Sequence, residues 1–314
     1  MNDVSEVLNA IEQATGDGDV AVGANTLHVT NLAKVYYRKA KKTKGDVLRY
    51  YARIGELLLP HLMDRPLVLR RYPDGVGKPA FFQQRAPDDT PDGVRTETVA
   101  TAEKGDELRI VGGDMTTLLY CAQLGGIDMN PWHSRIESLG EADYSILDLD
   151  PGPRAPFSRV VEVAQVVHDV LDAFGLHAAV KTSGASGIHV VVPLPRGTSY
   201  QSSLLLAQVV ATETANAAPK LATVVRTVSA RAPGQVYVDY LQNVRGKSVA
   251  SVLSLRAQPL ASVSMPLAWE ELDDDLDPGD FTIDVPTADA EARMQKYSEI
   301  LQHPVDLSVF TAVV

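Results

Sequence analysis

Apolar residues return at helical spacing over Val47, Tyr51, Ile54 and Leu58. This predicts a helix opened by Lys44-Gly45-Asp46, with Asp46 as its N-cap and Pro60 at its end. Leu67 to Tyr72 reads as a strand, followed by a Gly75/Gly77/Pro79 loop that leads into Phe81-Phe82. Residues 86–113 read as further strands and turns. Tyr144 to Leu149 is a short β-like run ending at Pro151-Gly152. Val160, Val163, Val167, Val170, Leu171 and Phe174 then mark an amphipathic helix. Ala178 to Thr182 and His189 to Leu194 form a hairpin across a Gly/Ser turn, and a helix covers roughly Tyr200 to Ala217. Val236 to Leu241 and Ser248 to Leu255 read as a second strand pair, and a last short helix lies near Ala290 to Leu301. Residues 1–26 read as a short helix followed by a Gly/Asp-rich linker. Helices mixed with several antiparallel strands predict an α+β fold: two mixed or antiparallel sheets with flanking helices.

Composition narrows the class. The chain has 314 residues, 45% of them hydrophobic and 22% charged, which fits a globular protein. No apolar run reaches the ~18 residues of a membrane span, and the acidic N-terminus lacks the basic start of a signal peptide. The single cysteine, Cys121, excludes a disulfide framework and a multi-cysteine zinc site, so a cytoplasmic location is expected. Net charge is -11, yet it is unevenly spread. From His28 to Arg85 there are thirteen Lys/Arg against four Asp/Glu, a local net of +9. From Pro266 to Val314 there are two against twelve, a local net of -10. A polyanion responds to the local field, so the basic third can hold one on an acidic protein; a lysine-rich solvated face is the alternative.

Three segments carry candidate chemistry. In Asp148-Leu149-Asp150, residues two apart on a strand project from the same face, and two converging carboxylates suit a hard divalent cation. The spacing alone is weak, because Asp17/Asp19 and Asp273/Asp275 share it; only Asp148/Asp150 follows a β-like apolar run. The loop from Lys181 to His189, KTSGASGIH, has two glycines and two serines whose backbone N–H groups can approach an anion. Lys181 and His189 can add charge or donors there, and a flexible hairpin loop with a core-edge histidine is the other reading. In the third segment, Asp239 on a strand precedes Arg245, Lys247 and Arg256. One acid beside three cations is what a metal–triphosphate site needs, while a structural salt bridge to Asp239 is the alternative.

Together these pieces resemble the archaeo-eukaryotic primase superfamily, most closely the polymerase domain of bacterial ligase D. The resemblance runs from about Leu27 to Arg256. It is carried in order by NLAK (31–34), TKGD (43–46), GKPAFFQQ (77–84), NPWHSR (130–135), LDLDPG (147–152), KTSGxxGxH (181–189), VDYLQNxRGK (238–247) and SLR (254–256). It implies a primase-polymerase catalytic core over 27–314, with a DNA- and 5′-phosphate-binding part (27–135) and a catalytic part with an acidic end (136–314). It implies DNA-directed nucleotidyl transfer from nucleoside triphosphates, with two Mn²⁺ or Mg²⁺ ions held by Asp148, Asp150 and Asp239. Asn130, Ser183, His189, Gln242, Lys247 and Arg256 would bind the nucleotide. Asn31, Lys34, Lys44 and Arg70 would take a downstream 5′-phosphate, with Phe81 and Phe82 stacking on bases.

The expected role is filling gaps or breaks in DNA with a preference for ribonucleotides, as a monomer that works beside a separate ATP-dependent ligase, similar to stand-alone mycobacterial relatives. Two positions depart from the family pattern: Asn130, where members often have His, and Ser186, where Lys is common. A metal-dependent nuclease and a non-catalytic gap-binding factor are the competing readings.

Overall fold

The computed structural model describes residues 4–14, 16–101 and 105–308. They fall into two compact units: 1–137 with 248–264 and 281–288, and 138–247 with 265–280 and 289–314. Two stretches of the C-terminal half thus return to the first unit.

The first unit begins with helix α1 (Val4–Gln13) and a hairpin, β1 (Gly18–Val22) and β2 (Asn25–Val29). The expected linker is therefore largely a hairpin. Its alternation buries Val20, Val22, Leu27 and Val29 on one face while Asp19 pairs with His28 on the other. Strands β3 (Val35–Tyr37) and β4 (Lys42–Thr43) lead into α2 (Lys44–Leu62). The N-cap of α2 is Thr43, not Asp46. Thr43 accepts from the Asp46 amide while the Asp46 side chain accepts from the Thr43 amide, a reciprocal capping box. Pro60 lies inside the last turn rather than ending the helix. A three-stranded sheet places β5 (Leu67–Arg71) between β6 (Phe81–Gln83) and β9 (Gly126–Pro131). Strands β7 (Thr96–Thr101) and β8 (Gly105–Ile110) form a hairpin, and α3 (Met115–Gln123) packs on α2 and carries the buried Cys121.

The second unit is built on one six-stranded sheet. Its strands are β10 (Tyr144–Pro151), β11 (Ala179–Thr182), β12 (Ile188–Pro193), β13 (Ala222–Thr223), β14 (Val236–Asp239) and β15 (Pro266–Leu267). Their spatial order is β13-β14-β10-β12-β11-β15, antiparallel except for β13 beside β14. Helices α4 (Phe157–Ala173) and α5 (Tyr200–Ala217) pack on it, and α6 (Thr287–Leu301) follows the acidic segment. Ser145 Oγ donates to the Ser203 carbonyl on α5 at 2.9 Å, so the odd positions of β10 face the helices. Asp148 and Asp150 project from the opposite face.

The expected pairing of 236–241 with 248–255 does not occur: β14 pairs with β10 and β13 instead. Residues 248–255 lie in the first unit as irregular chain, interrupted by Leu253 at φ 56°. The Tyr50 and Tyr51 hydroxyls, the Met129 carbonyl and the backbone of Ser264 take up their backbone groups, so the apolar alternation serves burial without a pairing to β14.

Candidate functional site

In β10 and β14, Asp148 stands directly opposite Asp239; on the other flank of β10 it stands opposite His189. His189 in turn stands opposite Lys181. Directly opposed residues share a face, so Asp239, Asp148, His189 and Lys181 form one row across four strands. Asp150, two residues along β10 and opposite Tyr237, extends the same face and is exposed.

Lys181, His189 and Asp148 are in side-chain contact along the row. Lys181 Nζ lies 2.7 Å from His189 Nδ1, and His189 Nε2 lies 3.3 Å from Asp148 Oδ1. Asp239 is nearly buried and accepts from the Tyr237 hydroxyl (3.2 Å), the Leu241 amide (2.8 Å) and Gln242 Nε2 (2.8 Å). Burial, and then the Asp239 charge, push the Tyr237 phenol up to about 12, which keeps it a donor to that carboxylate. The arrangement gathers three acids on one sheet face, the hard oxygen set that suits Mg²⁺ or Mn²⁺. Among the described residues no three His, Cys, Asp or Glu side chains yet close on a single point. Asp148 and Asp239, which repel each other, are each turned toward a protein donor.

Two loops complete this face. Ser183 accepts from the amides of Ala185 (3.1 Å) and Gly187 (3.0 Å), and its own amide donates to the Gly187 carbonyl. Gly187 is required there, since a Cβ would stand 2.5 Å from the Leu149 carbonyl oxygen on β10. After β14, Asn243 acts as a substitute strand partner. Its Oδ1 accepts from the Ile146 amide and its Nδ2 donates to the Ile146 carbonyl, both at 2.7 Å. Asn243 therefore anchors the turn carrying Gln242. N243A is expected to lower stability by about 1–3 kcal/mol by orphaning two buried backbone groups, read from the midpoint of urea unfolding. Lys247 lies further along this turn, with its side chain exposed.

The remaining predicted site residues belong to the first unit. Asn31 (φ 58°) opens a turn whose Lys34 amide donates to the Asn31 carbonyl. The amides of Lys44 and Gly45 donate to the carbonyls of Lys34 and Leu32. Asn31, Lys34 and Lys44 are thereby brought together at the N-terminus of α2, which favours anions. The Asn31 amide donates to Asp17, Lys34 Nζ contacts Asp74 and Lys44 Nζ donates to the Thr30 carbonyl. Burial, and then repulsion from Lys34, lower the Lys44 ammonium to about 8.

Arg70 lies elsewhere: its guanidinium is 5.6 Å from the Phe82 ring centre and 5.4 Å from that of Tyr72. The arginine whose charge reaches Lys44 is Arg71, on the other face of β5, and it was not among the expected residues. Both paired phenylalanines are exposed, Phe81 by 48% and Phe82 by 65%. Asn130 on β9 donates through Nδ2 to the carbonyls of Val68 and Asp128. Arg256 lies 3.7 Å from the buried Asp128.

Residues 43–297 match the model of the LigD primase-polymerase domain. The chain belongs to the LigD primase-polymerase family. Its members are metal-dependent nucleotidyltransferases, and this chain is one by family. It is 35% identical over 259 residues to the bifunctional non-homologous end joining protein LigD of Bacillus subtilis, covering 82% of this chain and 41% of that protein. It is 34% identical over 254 residues to the multifunctional non-homologous end joining DNA repair protein LigD of Mycobacterium tuberculosis, covering 78% and 33%. The chain thus spans less than half the length of these relatives. A solved structure of the polymerase domain of Mycobacterium tuberculosis ligase D, in complex with DNA, superposes with a TM-score of 0.75 at 30% identity. That match covers 88% of this chain and 95% of the other. Among the described residues of this LigD-family chain, no helix is long and apolar enough to cross a membrane.

Proposed function

We propose that the protein is a DNA repair primase-polymerase that fills short gaps or breaks in DNA beside a downstream 5′-phosphate. The observation that supports this most is the row of Asp239, Asp148 and His189 on one sheet face in a chain of this family. In the reaction, the primer 3′-oxygen bonds to the α-phosphorus as the α–β bridging bond breaks. Pyrophosphate leaves, and the hydroxyl proton passes to solvent. Asp148, Asp150 and Asp239 would hold the two divalent ions, which activate the 3′-hydroxyl and neutralise charge on the phosphates. His189 Nε2 and the loop closed by Ser183 would meet phosphate oxygens of the nucleotide, with Gln242 and Lys247 on the other side of the row. Arg256 is assigned to the triphosphate, and Asn130 to the sugar, from the resemblance of SLR and NPWHSR. With the Asn130 Nδ2 directed to carbonyls, the group it offers is Oδ1, an acceptor that matches the donor of a ribose 2′-hydroxyl.

Asn31, Lys34 and Lys44 would hold the 5′-phosphate, and Phe82 with Arg70 beside it, and Phe81 with Arg71 beside it, would stack on exposed bases. The partner would be a separate ATP-dependent ligase, which seals what the polymerase fills. The test is extension of a labelled gapped duplex with and without a 5′-phosphate, with ribo- or deoxyribonucleotides and with Mn²⁺ or Mg²⁺. Template-directed addition that favours the phosphorylated gap and ribonucleotides is expected. Shortening of the strand without added triphosphates would make it a nuclease, and binding with no metal-dependent product a gap-binding factor. F82A is expected to weaken gapped-DNA binding about tenfold, the effect of losing one base–aromatic stack. Fluorescence anisotropy on a gapped duplex measures it.

A further inference from the structure

Lys181 has no role in the function proposed above, yet it is a lysine only 2% exposed at the end of the row that carries the carboxylates. A buried ammonium is costly unless it is hydrogen-bonded. Its Nζ is 2.7 Å from His189 Nδ1, and the opposite nitrogen of the same ring is 3.3 Å from Asp148 Oδ1. Register places the three residues opposite one another in β11, β12 and β10. The backbone ladder therefore sets their spacing, rather than a mobile loop.

From this geometry we infer that Lys181 is a positioning residue: it holds His189 Nδ1 as an acceptor and so fixes Nε2–H as the donor aimed at the Asp148 side of the site. The physical reason is the donor inventory. An ammonium has three donors and no acceptor, so the ring nitrogen facing it must offer a lone pair. The proton of a neutral imidazole then sits on Nε2, pointing to Asp148 or to a phosphate oxygen brought beside it. The hydrogen bond also stops the ring from flipping, the role an outer partner plays for a functional histidine. The value of this for nucleotide binding rests on the polymerase reading, whereas the state of the ring does not.

The test uses the full-length chain with ¹⁵N-labelled histidine, long-range ¹H–¹⁵N correlation at one fixed pH, and H189Q to assign the His189 signals. The wild type is expected to show a bare Nδ1 and a protonated Nε2 at His189. K181M should lose that single state, while K181R, which keeps a donor, should retain it. In gap filling, K181M should raise the nucleotide KM about tenfold with kcat changed far less, since the donor to a bound phosphate is lost in ground and transition states alike. A proton on Nδ1 of the wild-type ring overturns the inference, as does a K181M ring unchanged from wild type. An unchanged KM in K181M with a lower kcat and melting temperature overturns it too, because that pattern marks a purely structural lysine. Should K181M not fold, the wild-type ring and K181R decide. Should the wild type not polymerise, the ring signals still stand, so failure of the polymerase reading is distinguishable.

Discussion

D148N is expected to reduce metal-dependent extension of a gapped duplex by roughly a thousandfold while leaving the protein folded. Asparagine keeps the shape of the side chain but not its charge. Metal-assisted phosphoryl transfer draws several kcal/mol of transition-state stabilisation from correctly held cations, and each 1.36 kcal/mol is a factor of ten in rate. Folding should survive because the strand is set by its apolar face: Leu147 and Leu149 are buried, whereas the Asp148 side chain remains 16% exposed. Single-turnover extension at saturating nucleotide, with circular dichroism as the fold control, measures both. Activity within tenfold of the wild type would sink the assignment of the carboxylates. D239N should be as inactive, and in addition lose stability, because its partners include two donors of its own turn, the Leu241 amide and Gln242.

K44A is expected to abolish most of the preference for a 5′-phosphorylated gap, a loss of about 10- to 100-fold in relative affinity. That is the range for a hydrogen bond between charged groups, at 1.5–3 kcal/mol. The effect should depend on pH in a defined direction. Lys44 is lowered to about 8 by burial and by Lys34, and a lysine is cationic below its pKa. Phosphate selectivity is therefore present below that value and is lost as pH rises through it. A bound dianion raises the pKa, so the loss begins on the alkaline side. K44A should show no such slope near pH 8, and K34A should move the loss to higher pH by removing the repulsion on Lys44. Binding of phosphorylated and unphosphorylated gaps between pH 7 and 9.5 measures this. A wild-type preference that does not change over that interval would remove Lys44 from the phosphate site.

Much of the site could be read in one dimension because it is written in local patterns. Asp148 and Asp150 share a face by the period of the strand, whatever the strand pairs with. Thr43 and Asp46 at i, i+3 announce a capping box, in which Thr43 rather than the expected Asp46 is the N-cap. The Gly/Ser loop is closed by Ser183 on residues two and four positions away, within reach of sequence reasoning. The expected strand pairing fails where a segment's partners lie elsewhere: residues 248–255 alternate like a strand, but their backbone bonds go to Tyr50, Tyr51, Met129 and Ser264. Arg70 and Arg71 are equivalent in sequence, and only the pairing of β5 with β6 and β9 shows which cation keeps company with Phe82 and which acts on Lys44.

Sequence alone sufficed for the α+β class, for the strand bearing two acids and for the family, since ordered motifs and a period of two need no knowledge of the fold. Tertiary structure decided which side chains stand in one row. Asp239 lies 91 residues beyond Asp148 and His189 lies 41 beyond it, yet register places both directly opposite it. That register comes from matching buried faces across the sheet, a long-range packing outcome. Lys181 belongs to the row for the same reason: local spacing offers it only as a charge or donor of the Gly/Ser loop, and strand pairing places it behind the histidine.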